Sequence, residues 1–169
     1  MLAYAGGDAA AFEQLYRRHK DPLYRYFLRH LHGEREPAAE LFQDVWQRVI
    51  QARERYRADA PFGAWLFKLA HNRLVDHYRQ WRPTEEVPES LPIPEAQQPE
   101  ATVSRREQAQ RVLRALQALP VEQREIIVLR EERELTLEQI AGIQGVGRET
   151  VKSRLRYALA KLREVLDEP

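Results

Sequence analysis

Residues 148–163 hold six basic side chains and a single acid, which gives this stretch a net charge of +5. Wound as a helix at 100° per residue, the stretch places its polar and apolar side chains on opposite sides. The polar arc holds Arg148, Glu149, Lys152, Ser153 and Arg156, and the apolar stripe holds Val151, Leu155, Leu159, Leu162 and Leu166. Such a helix can enter the DNA major groove, where its first turns reach base edges and flanking cations reach phosphates. The same pattern also fits an amphipathic surface helix whose basic face is solvated.

A short helix and a glycine turn precede this stretch. Thr136 and Gln139 have the spacing of a capping box, which predicts that a helix begins at Leu137. We expect Gly142 to end it, because three of the seven glycines fall between 142 and 147. With a second helix from about Arg148, the order is that of a helix-turn-helix.

Catalysis and metal binding have little support in the sequence. His71, Asp76 and His77 lie close together, but two imidazoles six residues apart point about 120° apart around a helix. His30 and His32 form another pair, and we interpret all these histidines as core edges or solvated side chains. The chain has no cysteine and no phosphate-loop, HExxH or GxSxG motif. We therefore predict a protein that is not an enzyme and that binds no metal or cofactor.

Composition indicates a folded protein with an uneven charge distribution. Of the 169 residues, 43% are hydrophobic and 31% charged. The start of the chain is not a signal peptide and no apolar run could cross a membrane, so we expect a soluble cytoplasmic protein. The net charge of +1 conceals a stretch at 83–104 that has five glutamates, five of the ten prolines and no basic residue. This composition predicts an extended acidic linker.

The linker separates two predicted helical domains, 1–82 and 105–169. In the first, helical periodicity covers 8–31 as one long or two short helices, and resumes from Ala38 and from Phe62 to about Trp81. In the second, we expect apolar stripes on either side of Pro120. In the segment from Ala38 the expected core residues are Leu41, Phe42, Val45, Trp46 and Val49, and in the segment from Phe62 they are Trp65, Leu66, Leu69 and Ala70. In the second domain they are Val112, Leu113, Leu116 and Leu119 before Pro120, and Ile126, Ile127 and Leu129 after it. No strand pattern is convincing, so the predicted fold class is all-α, with three to four helices in the N-terminal domain.

The order of these segments resembles a known family, the extracytoplasmic-function (ECF) group of bacterial RNA polymerase sigma factors, within the sigma-70 family. The resemblance covers about residues 8–166. It depends on five pieces in order: AAELFQDVWQRV (38–49), FGAWLFKLAHNRLVDHYR (62–79), the acidic linker, LPVEQREIIVLRE (119–131) and VKSRLRYALAKLR (151–163).

The resemblance implies an alternative sigma factor whose N-terminal domain binds the polymerase clamp and the unpaired minus-ten strand. Its C-terminal domain would place the helix-turn-helix in the minus-thirty-five major groove. Core RNA polymerase and promoter DNA are the implied partners, with an anti-sigma factor as a further one. Polymerase-binding residues would be Glu40, Leu41, Gln43, Asp44, Val45, Trp46 and Gln47, and minus-ten residues Phe62, Lys68, Asn72, Asp76 and Arg79.

The implied minus-thirty-five set is Arg148, Glu149, Lys152, Ser153, Arg154 and Arg156, of which Arg154 and Arg156 are expected to hold phosphates. Two other functions stay open. One is a stand-alone helix-turn-helix regulator, and the other is a sigma mimic that sequesters an anti-sigma factor. Neither alternative should bind core polymerase.

Overall fold

The computed structural model describes residues 1–80 and 103–167, and these are helical with no strand among them. The all-α prediction is confirmed. Most of the predicted linker lies outside the described residues, although its last two residues already belong to a helix. In chain order the helices are α1 (Leu2–Ala5), α2 (Ala9–His30), α3 (Arg35–Gln51), α4 (Phe62–Gln80), α5 (Val103–Gln117), α6 (Val121–Ile127), a π-helical turn (Val128–Glu132), α7 (Leu137–Gln144) and α8 (Arg148–Asp167).

Helix α2 is one continuous helix in spite of Pro22 in its interior. Its first turn is capped by Asp8, whose carboxylate accepts hydrogen bonds from the amides of Ala10 and Ala11 at 2.9 and 3.2 Å. The sequence pattern over 8–31 is compatible with one long helix or two short ones, and the structure has one.

Helix α3 begins at Arg35, three residues earlier than predicted. Pro37 stands in its first turn, where a backbone N–H has no partner within the helix and proline is tolerated. The predicted inner face of α3 is largely confirmed, since Leu41, Val45, Trp46 and Val49 are buried.

The core faces of α4 and α5 differ in part from the prediction. On α4, Phe67 is buried and Trp65 is only half-buried. On α5, Val112 is 40% exposed, and Ala115 takes its place in the core next to Leu116. Large side chains dominate the apolar pattern of this segment, so the pattern does not mark the small Ala115 as a core residue.

The two parts of the chain, 1–80 and 103–167, pack against each other. Helix α4 contacts α7 and α2 contacts α6. One cluster of buried apolar side chains includes Leu23, Phe67 and Leu74 from the first part and Ile126 and Ile140 from the second. The residues that carry the predicted functions are therefore held on a shared scaffold. None of the helices in the described ranges is long and apolar enough to span a membrane.

Candidate nucleic-acid interface

The helix-turn-helix forms as predicted at its start and differs at its turn. The capping box is confirmed: the Thr136 amide donates to Gln139 Oε1 at 2.9 Å, and the Gln139 amide donates to Thr136 Oγ1 at 3.2 Å. Helix α7 continues past Gly142 to Gln144, so the prediction that Gly142 ends it is wrong. Gly145 ends it, with φ +67 and ψ 33, because only glycine adopts this left-handed conformation without strain.

Helix α8 begins at Arg148 as predicted, but its buried stripe is narrower. Val151 and Ala158 are fully buried, whereas Leu159 and Leu166 are each 38% exposed. At 100° per residue, Leu159 lies about 80° and Leu166 about 60° from Val151 around the axis, while Ala158 lies within about 20°. The stripe predicted at these two leucines is corrected accordingly.

The polar arc of α8 faces solvent. The Lys152 side chain is 64% exposed, and Ser153 and Arg156 are exposed beside it. Arg148 is paired with Glu138 of α7 and also lies 3.8 Å from Glu149. These pairs join exposed side chains and are weak, so they leave the arc available to a polyanion.

Arg154 differs from the other basic residues of α8. Its side chain is half-buried, and its guanidinium donates to Gln144 Oε1 at 2.9 Å. This bond ties α8 to the end of α7. In this conformation Arg154 positions the two helices of the motif relative to each other.

The predicted minus-ten residues lie along α4, and Phe62 stands at its start. The Phe62 ring is half-buried among Tyr56, Trp65 and His19, at centroid distances of 6.3, 5.7 and 5.1 Å. Burial, with nearby positive charge, lowers the pKa of His19 to about 4. His19 therefore supports this ring as a neutral side chain.

Further along α4, the other predicted minus-ten residues lie on one side of the helix, at spacings of three and four residues. They are Lys68, Asn72, Asp76 and Arg79. Asn72 and Arg79 are exposed and Asp76 is half-exposed. Lys68 is engaged instead: its ammonium donates to the carbonyls of Gly142 and Ile143 at 2.8 and 2.6 Å.

The predicted polymerase-binding residues divide between two sides of α3. Glu40, Gln43 and Gln47 are exposed. Asp44 accepts a hydrogen bond from Arg73 Nε of α4 at 2.7 Å. The apolar members of the set, Leu41, Val45 and Trp46, are buried and hold α3 against the core.

A buried polar centre on α6 was missed by the sequence reading. Glu125 is 1% exposed, and its carboxylate accepts from Tyr26 Oη at 2.5 Å, His71 Nδ1 at 2.9 Å and Gln144 Nε2 at 2.9 Å. Burial alone would raise the pKa of Glu125, but the hydrogen bond and charge of His71 and the Tyr26 hydroxyl lower it below its ordinary value. Burial, with the Glu125 charge, raises the pKa of Tyr26 well above its usual range. The carboxylate is thus ionised and the phenol remains a donor.

Arg124, next to it in the chain, is also buried. Its guanidinium donates to five backbone carbonyls at the ends of α2 and α5 and in the connection to α6. These acceptors are Leu116 at 3.0 Å, Gln117 at 2.6 Å, Leu119 at 3.1 Å, Arg29 at 3.3 Å and His30 at 3.3 Å. Adjacent charged residues in a short helix look like a solvated pair in the sequence, and no local signal marks them as buried.

Two of the histidines, His30 and His71, belong to this centre, so the interpretation of His30 as a core-edge or solvated side chain is wrong. His30 is fully buried, and its Nδ1 donates to the Tyr26 carbonyl at 2.7 Å. Burial lowers the pKa of His30 to about 4. Across residues 1–80 and 103–167, no three His, Asp or Glu side chains come together in an arrangement that could hold a metal ion.

Together, the fold and the site define an all-α protein with a helix-turn-helix whose second helix presents an exposed basic side. The family model for Sigma-70 region 2 matches residues 15–83, and the model for Sigma-70, region 4 matches residues 115–164. Relatives that are 32–34% identical over nearly the whole chain show that it belongs to the ECF RNA polymerase sigma factors. Sigma factors are regulatory transcription initiation factors and not classical enzymes.

Curated relatives match nearly the whole chain. It is 32% identical to the ECF RNA polymerase sigma factor SigM of Mycobacterium tuberculosis, over 98% of this chain and 82% of the relative. It is 34% identical to SigL of the same organism, over 97% of this chain and 93% of the relative. Among solved structures, CnrH in complex with the cytosolic domain of CnrY aligns with 96% of this chain and 92% of its own, at 28% identity and a TM-score of 0.70.

Proposed function

We propose that this chain binds core RNA polymerase, directs it to a subset of promoters and assists the opening of the DNA. Residues 1–82 would form the domain that binds polymerase and the minus-ten strand. Residues 105–169 would form the domain that reads the minus-thirty-five element, with 83–104 as an acidic linker. The polymerase makes the phosphodiester bonds, so the chain itself needs no cofactor, and its place is the cytoplasm.

This proposal depends most on the orientation of α8, which buries its apolar side and exposes its basic side. Val151 and Ala158 fix one side of the helix in the core, and Lys152, Ser153 and Arg156 are thereby turned to solvent. A protein that only bound other proteins through α3 would gain nothing from a +5 helix held in this orientation by a capped turn. In this orientation the basic side chains of α8 can attract DNA phosphates, and its first turns can contact base edges.

The polar side of α3 supports the polymerase contact. Glu40, Gln43 and Gln47 are exposed on a helix whose other side is packed in the core. Acids and amides on a rigid helix pair well with arginines of a partner helix, and burial of such pairs fixes orientation. The buried members of the predicted set would then act by holding this surface in place.

An anti-sigma factor is part of the proposal as a further partner. CnrH was solved with the cytosolic domain of CnrY bound, and its likeness to this chain extends over both parts.

Polymerase binding is the experiment that tests the function. Gln43→Ala combined with Gln47→Ala should weaken binding to core polymerase by about 100-fold, because two charge-assisted hydrogen bonds at about 1.5 kcal/mol each are lost and about 1.4 kcal/mol is a factor of ten. Gln108→Ala combined with Gln110→Ala makes the same two chemical changes at exposed positions of α5 and should bind normally.

The unaltered chain should also direct core polymerase to defined start sites in a purified transcription reaction. If it binds no polymerase, it is a regulator or a mimic and the proposed function is wrong. If it binds but the double variant binds equally well, the assignment of α3 is wrong while the function stands.

A further inference from the structure

The last residue of α7 is a glutamine whose side-chain amide joins three helices. Gln144 Nε2 donates to the carbonyl of Glu122 and to Oε2 of Glu125, each at 2.9 Å, and both partners belong to α6. Gln144 Oε1 accepts from Arg154 Nη1 of α8, also at 2.9 Å. A primary amide donates and accepts at once, so this side chain connects acceptors on α6 with a donor on α8. All three partners lie within 103–167.

The place of Gln144 in the chain gives these bonds control over the turn. Gly145 follows directly, with φ +67, and the chain then enters α8. Glu125, the anchor on α6, is 1% exposed, and the side chains of Gln144 and Arg154 are half-buried. Hydrogen bonds shielded from water are stronger than exposed ones, so these bonds hold the two helices of the motif more firmly than the exposed pairs of α8 do.

Arg154 is turned away from the polar arc of α8. Lys152 and Arg156 are four residues apart and share one side of the helix, whereas Arg154, midway between them, lies about 160° from each around the axis. Its guanidinium donates to Gln144 instead of reaching solvent beside them. Of the two arginines expected to hold phosphates, only Arg156 is exposed on the arc. The position of Arg154 suits a contact within the motif and not one in the groove.

We propose that Gln144 is a positioning residue of the helix-turn-helix: bound to α6 and to Arg154, it fixes the angle at which α8 leaves the turn. That angle sets the reach of Lys152 and Ser153 toward base edges, and Arg154 acts through Gln144 without holding a phosphate. The inference rests on the proposed function, since α8 must read DNA for its angle to matter. Base contacts need placement within about 0.5 Å, whereas attraction to phosphates declines gradually with distance. Gln144 therefore serves sequence discrimination more than affinity.

The test uses the full chain assembled with core polymerase and a pool of DNA duplexes of random sequence. Duplexes retained by the unaltered chain are sequenced, and the most enriched duplex is compared with a copy in which the enriched upstream bases are scrambled. The ratio of the two dissociation constants measures sequence discrimination. The affinity for the scrambled duplex, followed over a range of salt concentrations, measures non-specific attraction to phosphates.

Gln144→Met removes the donor and the acceptor and keeps the length and charge of the side chain. We expect its discrimination ratio to fall about 10-fold, the loss of about one base contact, while the affinity for the scrambled duplex and its salt dependence stay unchanged. Gln110→Met makes the same chemical change at an exposed position of α5 and should keep the full ratio. An unchanged ratio in Gln144→Met refutes the positioning role. Equal losses on both duplexes also refute it, because the variant would then have lost its fold or its polymerase.

Arg154 has its own measurement. Arg154→Met should lower the discrimination ratio without changing the slope of log affinity against log salt, whereas Arg156→Met should reduce that slope by about 0.9, the value for one phosphate contact. A reduced slope in Arg154→Met would make Arg154 a phosphate ligand and overturn the inference. Gln144→Met combined with Arg154→Met should lose no more discrimination than either change alone, because both break one bond. If the unaltered chain enriches no sequence, the proposed function fails and this inference with it; enrichment that survives intact in Gln144→Met refutes only the positioning role.

Discussion

Acid should destabilise this protein through His30. In the folded chain burial lowers the pKa of His30 from 6.5 to about 4, so the imidazole stays neutral while the same group in the unfolded chain takes up a proton below pH 6.5. The unfolded state is therefore favoured as the pH falls from 6.5 toward 4. At about 1.4 kcal/mol per pH unit, the free energy of unfolding should drop by about 2 kcal/mol between pH 7 and pH 5 from this residue.

Other charged groups near His30 do not reverse this sign. Glu125 favours the protonated imidazole, while Arg124 and His71 oppose it, and burial outweighs all three. Hydrogen bonds from His71 and Tyr26 lower the pKa of Glu125 below its ordinary value, which favours the ionised carboxylate and does not oppose the effect of His30. His19, whose pKa is also about 4, adds a similar slope and has to be separated by mutation.

Urea unfolding of the unaltered chain and of His30→Gln at pH 7 and pH 5 isolates the effect. Glutamine is neutral at both values, so the stability difference between the two chains should shift by about 2 kcal/mol in favour of the variant at pH 5. The prediction concerns the difference between pH values and holds even if the variant is less stable overall. An identical pH dependence in both chains would show that His30 is not held neutral by burial.

The remaining predictions concern stability and promoter contacts. Arg124→Met should lower the free energy of unfolding by about 3–5 kcal/mol in urea, because five carbonyls lose a buried cationic donor; a loss below about 1 kcal/mol would contradict this. Thr136→Ala should lower it by about 1 kcal/mol through loss of the cap, and no change would mean the cap contributes nothing. Asn72→Ala should impair strand opening, measured by permanganate reactivity of thymines, more than initial promoter binding; normal reactivity would make Asn72 structural. Lys152→Ala should reduce transcription that depends on an upstream element by about 10-fold, whereas Arg163→Ala, an exposed cation at the far end of α8, should not.

Local signals in the sequence predicted the elements well. The capping box at Thr136 and the start of α8 at Arg148 depend only on neighbouring residues, and both are confirmed. The prediction that Gly142 ends α7 was wrong because the sequence alone does not distinguish the glycines at 142, 145 and 147, each of which can end a helix. The backbone at Gly145, with its positive φ, decides it.

The polar centre could not be predicted for a different physical reason. Glu125 acquires its partners from α2, α4 and α7, and the distance along the chain to Tyr26 is 99 residues. Nothing in the spacing of REIIVLRE distinguishes a buried Arg124 and Glu125 from an exposed pair. The engagement of Lys68 by α7 is equally non-local, so the spacing of residues on α4 does not reveal it.

The composition of the contact between the two parts of the chain supports its being reversible. Burial of an ion such as Glu125 carries a large desolvation penalty, and well-packed apolar residues would stabilise a permanent contact at least as well. If the two parts separated, water would satisfy Glu125, Arg124 and Lys68, so the separated state would not be burdened by unpaired charges. The apolar side chains of the shared cluster favour closure, while the polar centre fixes its geometry and limits the penalty of opening. The proposed function requires the two parts to act on separate promoter elements, and a contact of this mixed kind suits it, since a wholly apolar one would keep the two parts together.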